Sequence, residues 1–162
     1  MEPPTFPCRR VSLGKPVSNS RDIVNKWLES RIDENWVLIG GSTLAGEAHA
    51  WVALTVLKRN IERGKMKSNT LDGEFIRLLS GTHHISLGFS RAGIIEGDEY
   101  AWIVDLSESD EQSNYAIQAE KMGFELLSVR PSLDIFDASR LGIESGVSED
   151  IAIGHIHLAD LN

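Results

Sequence analysis

The stretch LSGTHHISLGFSRAGI, Leu79 to Ile94, places two adjacent histidines between two glycines. Its reading decides the fold, because it can mark either a catalytic or metal centre or a joint between two helices. The residues before it favour the joint. Asn69 or Thr70 can cap a helix whose first turn carries Asp72 and Glu74, the charge sign a helix N-terminus favours. Leu71, Phe75, Leu78 and Leu79 then fall at i, i+4, i+7 and i+8 on one apolar face. Gly81 supplies a left-handed terminator, and Thr82 caps a second helix with Ile85, Phe89 and Ala92 as its apolar face. Arg91 and Gly93 mark its end, so His83 and His84 are expected in its first turn.

That placement weighs against metal chemistry. Adjacent helical side chains point about 100° apart, so the pair cannot grip one ion as an i, i+4 pair does. His155 and His157, two apart in a helical segment, face different sides. The single cysteine, Cys8, allows neither an internal disulfide nor a cysteine-rich zinc site. His49 sits where only it and Thr55 are polar between Ala48 and Leu57, which predicts a core histidine with one hydrogen-bond partner. No Walker loop, dinucleotide loop, nucleophile elbow or HExxH motif is present. No catalytic residue, metal ligand or cofactor site is expected.

Outward from the joint, CRRVSLG and NWVLIGG read as strands. Ser18 or Ser20 can cap a helix running to about Ser30. A long helix capped by Ser42 or Thr43 runs to about Arg63 and stops at Gly64. After the joint come a strand at EYAWIVDL, a helix opened by a Ser109–Gln112 capping box and ended by Gly123, and a strand at FELLSV. A short helix from Pro131 to Gly142 and a last one capped by Ser148 complete the chain. The order predicts an α+β fold: a small, mostly antiparallel sheet of about four strands with six to eight helices. One domain over residues 1–162 is expected, with residues 1–7 loose and 155–162 a candidate partner-binding tail.

The chain is 41% hydrophobic and 25% charged, which places it with ordinary globular proteins. No apolar run approaches the roughly 20 residues that cross a bilayer, and MEPPTFPCRR lacks the apolar segment of a signal peptide. A cytoplasmic setting without a membrane partner is expected. The net charge of −8 is unevenly spread. Residues 1–67 hold 11 of the 16 basic and 7 of the 24 acidic residues, a net +4, leaving −12 on residues 68–162. The run KRNIERGKMK sets Lys58, Arg59, Arg63, Lys65 and Lys67 against Glu62 alone. Such a run is either a solvated helix end or a local polyanion site.

The run KSNTLDGEFIRLLSGTHHISLGFSRAGI resembles the small kinase-associated subunit of the KEOPS (EKC) complex. The resemblance rests on Lys67, Ser68 and Asn69, on Glu74, on the LSGT turn Leu79 to Thr82, on Ile85 and on Ala92 to Ile94. It implies a non-enzymatic subunit, a monomer within a larger complex, that binds the small atypical kinase/ATPase of KEOPS. It further implies recruitment of tRNA for threonylcarbamoyl (t6A) modification of an adenosine. Archaeal members grip the single-stranded 3′ CCA end of tRNA, and the short form of this chain suggests an archaeal origin. On this reading Lys65, Lys67, Ser68, Asn69, His83, His84 and Arg91 are the candidate tRNA-binding residues. Ile156, Leu158 and Leu161 are the candidate partner contacts. Two other classes stay open from the residues alone: an interaction module with no direct RNA role, and a histidine-based hydrolase, which lacks a visible nucleophile–base pair.

Overall fold

The computed structural model describes residues 2–161. Strands β1 (Cys8–Ser12), β2 (Trp36–Gly40), β3 (Tyr100–Asp105) and β4 (Glu125–Leu127) form one sheet in the order β2-β3-β1-β4, with every neighbouring pair antiparallel. The helices are α1 (Ser20–Ser30), α2 (Glu47–Glu62), α3 (Leu71–Ser80), α4 (Ile85–Ala92), α5 (Gln112–Met122) and α6 (Glu149–Asp160). Two 3-10 turns, Leu133–Ile135 and Ser139–Leu141, stand where one short helix was expected. The α+β class and the four-stranded antiparallel sheet are as expected.

The two-residue period of the strands sends Cys8, Val37, Ile39, Trp102 and Val104 to one face, under α2, α3 and α6. Val11, Trp36, Leu38, Ala101 and Ile103 go to the other, where α1 and α5 close over them with Trp27, Tyr115, Ala119 and Met122. Burial on both faces explains why WVLIG shows no polar alternation. Helix α2 packs against both α3 and α6, which accounts for its nearly uniform apolar surface.

Four helix starts differ from expectation, that of α4 among them, and at α2 and α5 the reason is a side chain used elsewhere. Asn19, not Ser18 or Ser20, caps α1 by accepting from the Asp22 N–H. Helix α2 begins only at Glu47, since the Thr43 hydroxyl donates to the Gly40 carbonyl at 2.8 Å and the Ala45 N–H donates to His49 Nδ1 at 3.0 Å. Ser109 donates to the buried Asp105 carboxylate, so the capping box does not form and α5 starts at Gln112. Thr70 and Ser148 cap α3 and α6 as read, and Gly81, Gly123 and Gly142 end their segments with positive φ. Within the segment expected to be loose, Phe6 is fully buried. Its ring stacks on Phe75, its N–H donates to Glu47 and its carbonyl accepts from Arg130.

His49 is the core histidine its surroundings implied: fully buried, edge-on to Phe136, with Nδ1 satisfied and Nε2 lacking a partner. Burial, assisted by nearby His155, lowers its pKa to about 3. The ring is therefore neutral when folded and takes up a proton on unfolding. Its contribution is complete above about pH 6.5 and is lost as pH falls toward 3. Unfolding free energies from urea titrations between pH 7 and pH 5.5 are expected to fall with a slope approaching about 1.4 kcal/mol per pH unit below pH 6. His49→Gln should flatten that slope.

Candidate functional site

The joint between α3 and α4 rests on two glycines. Gly81 has φ 68°, and a Cβ there would lie 2.2 Å from His155 Nε2, so no side chain fits. A Cβ on Gly88 would come within 3.2 Å of Arg77 Cα, so its absence lets α4 lie close against α3. Thr82 accepts from the His84 N–H, yet helical geometry begins at Ile85. His83 and His84 therefore precede α4 rather than occupy its first turn, and both are exposed.

Beneath the joint lies a buried ion pair. Glu74 and Arg77, on successive turns of α3, are 0% and 1% exposed and 2.8 Å apart. Glu74 also accepts from Asn60 Nδ2 and from the Lys67 and Ser68 N–H groups. Arg77 Nη1 donates to the carbonyls of Thr82 at 3.0 Å and Ala159 at 2.6 Å. Burial pushes the Glu74 carboxyl upward, but its bonds to Arg77 and its other donors outweigh this and hold it below the ordinary range. One network thus joins α2, the α2–α3 loop, the joint and the end of α6.

Above this network opens a cavity of about 90 Å³ lined by Arg59, Arg63, Lys65, Lys67 and Arg77, with Asn60 and a single acid, Asp160. The Lys67 ammonium donates to His83 Nδ1 at 2.7 Å. The His83 pKa is lowered by desolvation and then by Lys67, which fits a neutral ring with Nδ1 as acceptor. Lys65 and Asn69 are exposed on the same loop. Ser68 is turned to structure: its N–H serves Glu74 and its hydroxyl accepts from the Thr70 N–H.

Not every residue expected at the site is brought there. Arg91, at the far end of α4, donates to the Ser80 carbonyl at 2.8 Å and lies against Gly142, so it closes the end of α3. Lys58 pairs with Glu108, outside the cavity. Among the tail residues, Ile156 is fully buried in the core, because α6 turns that side to α2 and α3. Leu158 and Leu161 are 54% and 60% exposed, and Leu87 and Phe89 are exposed on α4. Asn162 lies outside the described residues. Arg59 and Arg63, named only as part of the basic run, line the cavity too, and Asn60, Arg77 and Asp160 were not foreseen there. Arg59 and Arg63 stand at i and i+4 at the end of α2, a spacing that puts both on one side. Asp160 gives no such local sign.

Among the described residues, no group of three or more His, Cys, Asp or Glu side chains is assembled to hold a metal ion, and no helix is long and apolar enough to cross a membrane. The buried Cys8 thiol is pushed up to about 12, chiefly by burial, and is not a nucleophile near neutral pH.

Removing one member of the buried pair leaves the other charge without its partner. Arg77→Met is therefore expected to lower unfolding free energy by about 3–5 kcal/mol in urea titrations. Because the Glu74 pKa is depressed, its contribution is present above about pH 4.3 and is lost as pH falls through the lowered value.

A family model described as kinase binding protein CGI-121 matches residues 15–156, from the turn before α1 into α6. The match spans strands β2 to β4, the joint and the basic loop, and the chain belongs to this KEOPS-associated family of kinase-binding proteins.

Proposed function

We propose that this chain is the non-catalytic subunit of KEOPS that binds its small kinase/ATPase and recruits tRNA by the 3′ CCA end for t6A synthesis. The observation that carries the RNA part is the cationic cavity on a protein of net charge −8. Arg63 and Lys65 form no ion pair among the described residues, and Lys67 meets a neutral histidine rather than an acid. Single-stranded ends are held by cations on phosphates and by rings on which bases stack. Lys65, Lys67 and Arg63 provide the first, and the exposed rings of His83 and His84 the second. Asn69 adds a polar group on the same loop. The surrounding acidic surface limits attachment elsewhere, so binding is local and salt-sensitive.

For the kinase, Leu158 and Leu161 offer exposed apolar anchors beside that cavity. Ile156 and Ala159 are core residues, so the tail cannot be removed without opening the fold. Leu158→Asp is expected to weaken capture of the kinase at least 10-fold, about 1.4 kcal/mol, with the melting temperature unchanged. Ile156→Ala should instead cost about 2–4 kcal/mol of stability.

The RNA role is tested by anisotropy titrations with intact tRNA and with tRNA trimmed of its CCA end. The double variant Lys65→Glu, Lys67→Glu and the trimmed tRNA should each lose at least about 10-fold in affinity, with a steep salt dependence for the intact pair. Equal binding of intact and trimmed tRNA would overturn the CCA end as the part recognised, and binding of neither would leave the kinase-binding module without an RNA role as the correct reading.

A further inference from the structure

The basic cavity is already held in part by the chain's own C-terminal turn. Asp160, the last residue of α6, pairs with Arg59. The Lys67 ammonium, besides its bond to His83, donates to the Leu161 backbone carbonyl at 3.3 Å. Helix energetics do not call for an acid there, since the C-terminal end of a helix dipole disfavours negative charge. The cation opposite accounts for it. The pair is also accessible, with Arg59 and Asp160 side chains 38% and 22% exposed, and pairs of this kind are weak enough to be exchanged.

We propose that Asp160 and the Leu161 carbonyl are resident occupants of the anion cavity, which an RNA backbone must displace from Arg59 and Lys67. The inference rests on the RNA reading above and deepens it. Arg59 offers a phosphate its Nη2 edge only by releasing Asp160, so bidentate binding there is an exchange of anions rather than the filling of an open site. An isolated anion meets this competition one contact at a time. A single strand with successive phosphates replaces the Arg59 and Lys67 contacts together, so the latch favours a chain over a lone phosphate. Leu158 and Leu161 flank Asp160 in sequence, so a partner covering those leucines acts on the same turn, and the two occupancies are linked.

The test is the affinity of the full chain for a single-stranded RNA ending in CCA, at one fixed salt concentration. Asp160→Asn, and equally Asp160→Ser, should tighten binding about 3- to 5-fold, the worth of one partly exposed ion pair. Asp160→Glu should restore wild-type affinity. Asp134→Asn removes the same charge from the 3-10 turn whose Phe136 packs on His49 at the other end of α2, and should change nothing. If Asp160→Asn matches wild type, or shifts affinity no more than Asp134→Asn, while the Lys65→Glu, Lys67→Glu variant still loses binding, the latch is wrong and the RNA reading stands. If neither wild type nor Asp160→Asn binds the RNA, both fall together.

Discussion

The Glu74–Arg77 pair is almost wholly withdrawn from solvent, and removing two charges from water costs several kcal/mol per ion unless their remaining valences are filled. Here they are filled. The Glu74 oxygens accept five hydrogen bonds, two from Arg77, two from the backbone at Lys67 and Ser68, and one from Asn60. Arg77 spends its remaining contacts on the Thr82 and Ala159 carbonyls. Each requirement is also a positional constraint. The loop carrying Lys65 and Lys67 curves back over α3 because its amides are needed there. The last turn of α6 ends beside the joint because its carbonyl is needed there. The cationic cavity is thus the outer surface of a buried polar network, and its rim inherits the network's geometry.

The arginines divide the work of the chain's positive charge. Arg140 clamps Asp98 together with the Arg91 and Gly93 carbonyls, and Arg130 clamps Glu47 with the Phe6 and Cys8 carbonyls. Arg77 and Arg91 serve carbonyls likewise, and Lys121 donates to the Ser30 carbonyl. The basic residues after position 67 are therefore engaged in holding the fold. Earlier in the chain, Arg63, Lys65 and Lys67, without an acidic partner among the described residues, gather at one cavity.

What could be read in advance follows the range of each interaction. The caps at Thr70 and Ser148 and the terminators at Gly81 and Gly123 depend on residues within one turn, and they were legible. The basic loop was legible because its cations are contiguous. Ser109 was misread because Asp105, buried in β3, competes for its hydroxyl from outside the helix. Phe6 was misread because the prolines around it resemble a loose end, while its anchors lie at Glu47 and Arg130. Arg77 looks from sequence like half of a surface i, i+3 pair with Glu74, and only Thr82 and Ala159, distant from it in different degrees, decide that it is interior. Asp160 and Arg59 meet across a hundred positions, which no local pattern can announce.

The Arg77–Ala159 contact has a consequence for the order in which the structure can be assembled. Everything else around Glu74 comes from residues 60 to 82, a compact segment able to organise early during vectorial synthesis. The Ala159 carbonyl, with the apolar side of α6 that it anchors, is supplied last among the described elements. Until residues 149–160 have emerged from the ribosome, the side of α2 and α3 that α6 covers stays open, and Arg77 is one partner short. A chain paused before that point presents an apolar groove beside an incompletely satisfied guanidinium, a state suited to chaperone capture.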